Sequence, residues 1–77
     1  MTPPRPFALR GEHITLEALI KAADLNEARD LARAVIADGR VKVNGAVEVR
    51  RGRKLRPGDV AQLGADAVRV DEGDPAQ

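Results

Sequence analysis

The feature that most constrains the fold is an apolar stripe in the middle of the chain that ends at a glycine. Its members recur at i, i+3, i+4, i+7 and i+8, the spacing that places side chains on one face of an α-helix. They are Ala28, Leu31, Ala32, Val35 and Ile36. Gly39 is suited to end the helix in a left-handed conformation. At the other end, Asp24 and Glu27 have the spacing of a capping box, and Asn26 is an alternative cap.

A β-hairpin pattern follows this helix directly. Val41-Lys42-Val43 and Val47-Glu48-Val49 alternate apolar and polar residues around Asn44-Gly45, a dipeptide typical of tight reversals. A two-residue turn would pair Lys42 with Val47 and mix polar with apolar side chains. A three-residue connection, which includes Ala46, would pair Val43 with Val47 and place all four valines on one face. We therefore expect the three-residue connection.

The flanking segments complete an α+β order. Thr15 is a suitable N-cap for a first helix, and that helix has the apolar face Leu16, Leu19, Ile20 and Ala23. Phe7-Ala8-Leu9 predicts a short strand before it. After the hairpin, Pro57-Gly58 predicts a turn, and Ala61/Leu63 and Val68/Val70 predict two strands around Gly64-Ala65-Asp66.

These elements predict an α+β fold in which two N-terminal helices pack on a small, mostly antiparallel sheet of four to five short strands. We expect a single domain over residues 7–70. The Pro-rich segment 1–6 is expected to be flexible, and the acidic tail 71–77 to be disordered. The first residues lack the apolar core of a signal peptide, and no apolar run is long enough for a membrane span. We therefore expect a cytoplasmic protein that does not enter a membrane.

Charge is distributed unevenly along the chain. Residues 40–56 carry seven basic side chains against Glu48 alone, a net +6, whereas the whole chain carries +1. Such a local positive field is typical of proteins that bind polyanions. The alternative is an ordinary solvated charged face. In the helix, Arg29 and Arg33 lie four residues apart, and either an anion between them or the neighbouring acids Glu27 and Asp30 could offset their repulsion.

Catalytic chemistry has little support in the composition. The chain has no Ser, Cys or Tyr, and His13 is its only histidine. The remaining side-chain nucleophiles are Thr2, in the Pro-rich start, and Thr15, which is better explained as a helix cap. Histidine and carboxylates form no metal-ligand spacing and no convincing acid–base pair, and we expect neither an enzyme, a cofactor, a metal nor a small-molecule substrate. Phe7 is the only aromatic residue, so the base stacking common among single-strand readers is not expected. Recognition of a nucleic acid would then depend on phosphates, sugar hydroxyls and shape.

The stretch from Ala32 to Gly45 resembles a known family. Together with Arg50-Arg51 and Pro57-Gly58-Asp59, it is similar to the RNA-binding domain first known from ribosomal small-subunit protein S-four. The family pattern G-x-V-x-V-N-G lies at residues 39–45, and the resemblance extends over roughly residues 7–70. The phrase from Glu48 to Leu55 and the short length most resemble the stand-alone YbcJ-like branch. Where many members begin the first helix with Arg-Leu-Asp, this chain has Thr15-Leu16-Glu17.

The resemblance implies an αL RNA-binding fold whose second helix and hairpin loop form the RNA-binding surface. The residues that we expect to contact RNA are Arg29, Arg33, Arg40, Lys42, Arg50, Arg51, Arg53 and Lys54. The expected partner is structured RNA, ribosomal RNA first and transfer RNA second, bound by a monomer in ribosome assembly or maintenance. We expect charge reversal at Arg51 and Arg53 to weaken binding without changing stability. The alternative function is a basic module that binds an acidic, ribosome-associated protein.

Overall fold

A computed structural model describes residues 3–73 of the chain, as seven short strands, two α-helices and two 3₁₀ turns. The strands are β1 (Arg5–Ala8), β2 (Ile14–Thr15), β3 (Val41–Val43), β4 (Ala46–Val47), β5 (Lys54–Leu55), β6 (Val60–Leu63) and β7 (Asp66–Asp71). The helices are α1 (Leu16–Ala23) and α2 (Ala32–Ala37), and the 3₁₀ turns between them are Leu25–Glu27 and Arg29–Leu31. Among the residues described, no helix is long and apolar enough to span a membrane.

Five of the strands form one sheet in the order β1-β7-β6-β3-β4. Only β1 and β7 run parallel, and the other neighbours are antiparallel. Strands β2 and β5 form a separate antiparallel pair. The predicted α+β fold, with two helices on a small and mostly antiparallel sheet, is therefore confirmed. Strand β1 begins at Arg5 and β7 ends at Asp71, slightly outside the expected range 7–70, and the tail residues 74–77 lie outside the described part.

One apolar core joins the helices to the sheet. Helix α1 contributes Leu16, Leu19 and Ile20, and helix α2 contributes Ala32, Val35 and Ile36. The sheet contributes Val41, Val43, Ala61, Leu63, Val68 and Val70. Alternate residues of β3 and β6 point to this core, so Lys42 and Gln62 lie on the opposite, exposed face of the sheet.

The predicted start of α1 is confirmed. The Thr15 side chain accepts a hydrogen bond from the Ala18 backbone N–H at 3.3 Å, which satisfies one of the free amides of the first turn. At the other end, Asp24 adopts the left-handed conformation (φ 47°) and forms the C-cap of α1. The prediction that Asp24 begins the second helix is therefore wrong.

Helix α2 starts later than predicted. Asn26 and Glu27 both have positive φ, and Asn26 makes no capping hydrogen bond for a helix either. The chain continues as 3₁₀ turns until Ala32. A 3₁₀ turn has three residues instead of 3.6, which rotates the apolar stripe. Ala28 is still buried, but Leu31 is 59% exposed, so its assignment to the stripe is wrong. Gly39 has the predicted left-handed conformation, with φ of 73°.

The hairpin has the register that the valine pattern disfavoured. Lys42 pairs with Val47 and Val43 with Ala46, so the connection is the two-residue turn Asn44-Gly45. Both turn residues have positive φ, which the twist of a two-residue hairpin requires and which Asn and Gly tolerate. As a result Val47 and Val49 do not reach the core and are 57% and 56% exposed. The predicted three-residue connection is therefore wrong.

Candidate nucleic-acid interface

The basic loop between β4 and β5 is fixed to helix α1 through its backbone. The Leu16 N–H donates to the Arg53 carbonyl at 2.9 Å, and the Glu17 N–H donates to the Arg51 carbonyl at 3.0 Å. Both amides belong to the first turn of α1, where N–H groups have no partner within the helix. Strand β5, which follows the loop, pairs with β2 immediately before the same helix. The loop therefore has a defined position beside the start of α1.

A buried carboxylate lies beneath this loop. The side chain of Glu48 is only 8% exposed and accepts from both neighbouring arginines. Arg50 donates through its backbone N–H and Nε to Oε2, each at 3.1 Å, and through Nη2 to Oε1 at 3.1 Å. Arg53 Nη1 donates to Oε1 at 2.9 Å. These hydrogen bonds, first those from Arg50, lower the pKa of Glu48 to about 2.

A second acid connects the two helices. Glu17 of α1 accepts from Arg33 Nε of α2 at 2.9 Å, and Lys21 Nζ lies 3.1 Å from the same Oε2 atom. The hydrogen bond from Arg33, followed by that from Lys21, lowers the pKa of Glu17. Arg29 lines the same open groove, which also contains Asp30 and Leu31. The neighbouring acids proposed from the sequence, Glu27 and Asp30, are not the ones that bind Arg33.

The eight predicted RNA contacts fall into two groups. Three side chains are held by acids, namely Arg33 by Glu17, and Arg50 and Arg53 by Glu48. The other five are exposed and make no side-chain hydrogen bond or ion pair within residues 3–73; they are Arg29, Arg40, Lys42, Arg51 and Lys54. Because Arg53 donates to a buried carboxylate, its charge reversal would also disturb the fold. We therefore expect unchanged stability for charge reversal at Arg51 only, and not at Arg53.

Helix α2 and the basic loop meet through Glu17. Its backbone N–H donates to the Arg51 carbonyl, and its side chain binds Arg33. The groove places Arg29 and Lys21 beside that pair. Glu17 thus connects Arg33, which lines the groove with Arg29, to the backbone of Arg51, whereas Lys42 lies on the exposed face of the sheet.

Sequence reasoning missed three residues of this surface: Glu17, Lys21 and Glu48. Glu17 and Lys21 have the i, i+4 spacing of a helical ion pair, which was a usable signal. The partnership of Glu17 with Arg33 spans 16 residues and depends on how the helices pack. Glu48 was counted only as an isolated negative charge, although it is the group around which the loop is arranged.

A third polar cluster links the hairpin turn to the turn before β6. Asn44 Nδ2 donates to Asp59 Oδ1 at 3.0 Å, and Asn44 Oδ1 accepts from the Val60 N–H at 2.9 Å. The other oxygen of Asp59 accepts from the Arg56 N–H at 2.8 Å. The pKa of Asp59 is lowered, first by the Arg56 N–H and then by Asn44. The Asn-Gly and Gly-Asp elements of the sequence pattern therefore hold each other in place.

Fold and surface define a class: a small α+β domain that presents an exposed basic loop fixed to its first helix. The family model described as the S4 domain matches residues 7–71. Over 58 residues, the chain is 36% identical to a Bacillus subtilis (strain 168) protein named "Probable ribosome maturation protein RlbA", covering 75% of this chain and 82% of the relative. It is also 36% identical over 58 residues to "Putative RNA-binding protein YbcJ" of Escherichia coli (strain K12), covering 75% and 83%.

The chain therefore belongs to the S4-domain family, the family that the hairpin pattern indicated. The match begins at Phe7 and ends at Asp71, so it includes both helices, the basic loop and the whole sheet except the start of β1. The predicted resemblance to the stand-alone YbcJ-like branch is confirmed by the relatives of similar length.

Proposed function

We propose that this protein binds structured RNA without catalysis, in a role connected with ribosome maturation, through phosphate and shape contacts. The single observation that carries the proposal is a group of cations, on and beside a backbone-fixed loop, that have no acid partner among residues 3–73; Arg29, Arg51 and Lys54 represent it. Such a cation can bind a phosphate without first breaking an ion pair within the protein. A fixed loop loses little conformational freedom on binding. We infer a monomer that acts in the cytoplasm, where bacterial ribosomes assemble.

Structured RNA is favoured over single strands by the position of the only aromatic residue. Phe7 lies in β1, half-buried against the core, so most of its ring is taken up by packing and not by a base. A protein without an exposed aromatic depends on phosphates, ribose hydroxyls and helix shape. Two relatives carry names that refer to RNA binding and to ribosome maturation, and membership of the S4-domain family supports the same ligand class.

The test is crosslinking in cells followed by sequencing of the bound RNA. The control is a variant with both Arg51→Glu and Lys54→Glu, because neither side chain has a partner in the described part of the chain, residues 3–73, and the fold should be retained. We expect enrichment at a folded ribosomal RNA segment for the wild type and its loss in the variant. Equal recovery from both proteins would contradict the proposal.

One observation favours a second candidate function, the binding of an acidic protein partner. Val47 and Val49 are more than half exposed and border the basic loop, and protein interfaces often combine an apolar patch with a charged rim. Nuclease treatment separates the two candidates. Material that copurifies with the protein and is removed by RNase indicates RNA, whereas a protein that stays bound after RNase indicates the second candidate.

A further inference from the structure

We propose that Glu48 is a positioning residue for RNA binding: its buried carboxylate fixes the basic loop so that Arg51 points to the ligand. This inference rests on the proposed function and assigns a role in it to an acid. A carboxylate would ordinarily weaken the binding of a polyanion, because its charge repels phosphates. The geometry of the loop gives Glu48 the opposite effect.

The first argument is burial. Of the residues between Val43 and Leu55, Glu48 alone is buried, at 6% exposure, and all its neighbours in the segment are exposed or half-buried. No apolar side chain in this segment reaches the core, since Val47 and Val49 are both exposed. Glu48 is therefore the only buried side chain between Leu55 and the hairpin turn, which Asn44 holds through Asp59 and Val60.

The second argument is the number and direction of the bonds. Both oxygens of Glu48 accept hydrogen bonds, and the donors come from either side of the two residues at the tip, Arg51 and Gly52. The Arg53 N–H also donates to the Arg50 carbonyl at 3.2 Å, which closes the turn. The carboxylate thus binds Arg50 and Arg53, whose side chains are 75% and 34% exposed, and the tip between them is exposed with Arg51.

The third argument is repulsion within the loop. Four of the five residues from Arg50 to Lys54 are cations, and like charges at this spacing favour an open, variable loop. A buried carboxylate that accepts from two of them offsets this repulsion. Without it, the loop would retain its backbone bonds to α1, but Arg50 and Arg53 would be released.

The test uses a variant for which charge and position predict opposite signs. Glu48→Gln raises the net charge of the chain from +1 to +2, so charge alone predicts tighter RNA binding. Positioning predicts weaker binding, by about fivefold to 150-fold, because the side chains of Arg50 and Arg53, freed in this variant, must be ordered again on binding. Affinity for purified, labelled bacterial ribosomal RNA is measured by filter retention, at a temperature where circular dichroism shows every variant folded.

A double-mutant cycle separates positioning from a general loss of structure. Arg51→Gln is expected to reduce affinity severalfold in the wild type and less than about twofold in the Glu48→Gln protein, because the tip that carries Arg51 then keeps its backbone bond to α1 but is no longer fixed through Arg50 and Arg53. Arg29→Gln is the matched control. It removes the same charge from a different element and should have the same effect in both proteins. Equal effects of Arg51→Gln in both proteins would overturn the inference.

The other outcomes are also decisive. Folded Glu48→Gln protein that binds as tightly as the wild type, or more tightly, overturns the inference and leaves the proposed function intact. Wild-type protein that binds ribosomal RNA no better than the Arg51→Glu, Lys54→Glu variant overturns the proposed function itself. If Glu48→Gln does not fold, Glu48→Asp replaces it in the cycle. This variant keeps the charge but withdraws the carboxylate by one methylene, so weaker binding supports positioning and unchanged binding refutes it.

Discussion

Replacement of Arg51 by Gln tests the surface most directly, because this side chain combines exposure with the absence of an internal partner. Its carbonyl accepts from the Glu17 N–H, but this backbone bond does not depend on the side chain. The guanidinium makes no hydrogen bond or ion pair among residues 3–73. We therefore expect Arg51→Gln to reduce RNA binding and to change the free energy of unfolding by less than about 0.5 kcal/mol.

The expected size follows from counterion release. Each phosphate that a cation neutralises contributes about −0.9 to the slope of log K against log salt concentration for a duplex. Five of the eight predicted contacts have unpaired side chains, so a wild-type slope of about −4.5 is the value if each meets one phosphate. A fourfold rise in salt would then reduce affinity about 500-fold. Without Arg51 the slope becomes about −3.6 and the reduction about 150-fold.

The assay is a titration of labelled ribosomal RNA at several salt concentrations between about 50 and 200 mM, which is the fourfold rise considered above. Arg69→Gln is the matched control. It removes the same charge from β7, where Arg69 is paired with Asp71 at 2.7 Å, and its slope should equal that of the wild type. An unchanged slope for Arg51→Gln would refute the assignment of Arg51. An equal change for Arg69→Gln would show that only net charge matters.

Three further predictions concern stability. Asn44→Ala removes two side-chain hydrogen bonds, one to Asp59 and one from the Val60 N–H, at a residue with φ of 52°. We therefore expect a loss of about 2–4 kcal/mol in the free energy of unfolding and a melting temperature lower by about 10–25 °C. Circular dichroism measures the melting temperature, and an unchanged value would contradict this prediction. Because folding lowers the pKa of Glu48 from 4.5 to about 2, its contribution to stability is full above pH 4.5 and is lost as the pH falls through about 2. Calorimetry should therefore show a gap between wild type and Glu48→Gln that narrows on acidification, and a constant gap would contradict it. Leu25→Ala empties a fully buried site and should cost about 2–5 kcal/mol in urea unfolding, whereas a loss below about 1 kcal/mol would show that the site collapses.

Local signals predicted much of the fold. Thr15 and Gly39 have chemistries that suit a helix start and a helix end, and both are used in that way. The prediction of the hairpin register was wrong because two sequence signals competed. The valine alternation favoured one face for all four residues, whereas Asn44-Gly45 favoured the two-residue turn. Turn chemistry prevails here because β4 is a two-residue strand at the sheet edge, where exposed valines lose little contact.

The candidate surface was predictable in its cations but not in its acids. Composition located the basic segment, since a run of arginines needs no knowledge of the fold. The roles of Glu17 and Glu48 depend on contacts that the fold creates. Glu17 meets Arg33 only because α1 packs beside α2, and Glu48 is buried because the two-residue turn sets it opposite the core residue Val41, whose carbonyl accepts from the Glu48 N–H. In the net charge, each of these acids only lowers the positive total, and its structural role is not visible.

Rigidity gives a reason to prefer RNA to an acidic protein segment as the partner of this surface. A structured RNA holds its phosphates at fixed spacings, so a loop held by Glu48 can meet them without further ordering. A flexible acidic segment adapts to any arrangement of cations, and its affinity should follow net charge. Glu48→Gln therefore separates the two partners: we expect it to weaken the binding of ribosomal RNA and to strengthen slightly the binding of polyglutamate. Changes of the same sign for both polymers would show that the rigidity of the loop does not select its ligand.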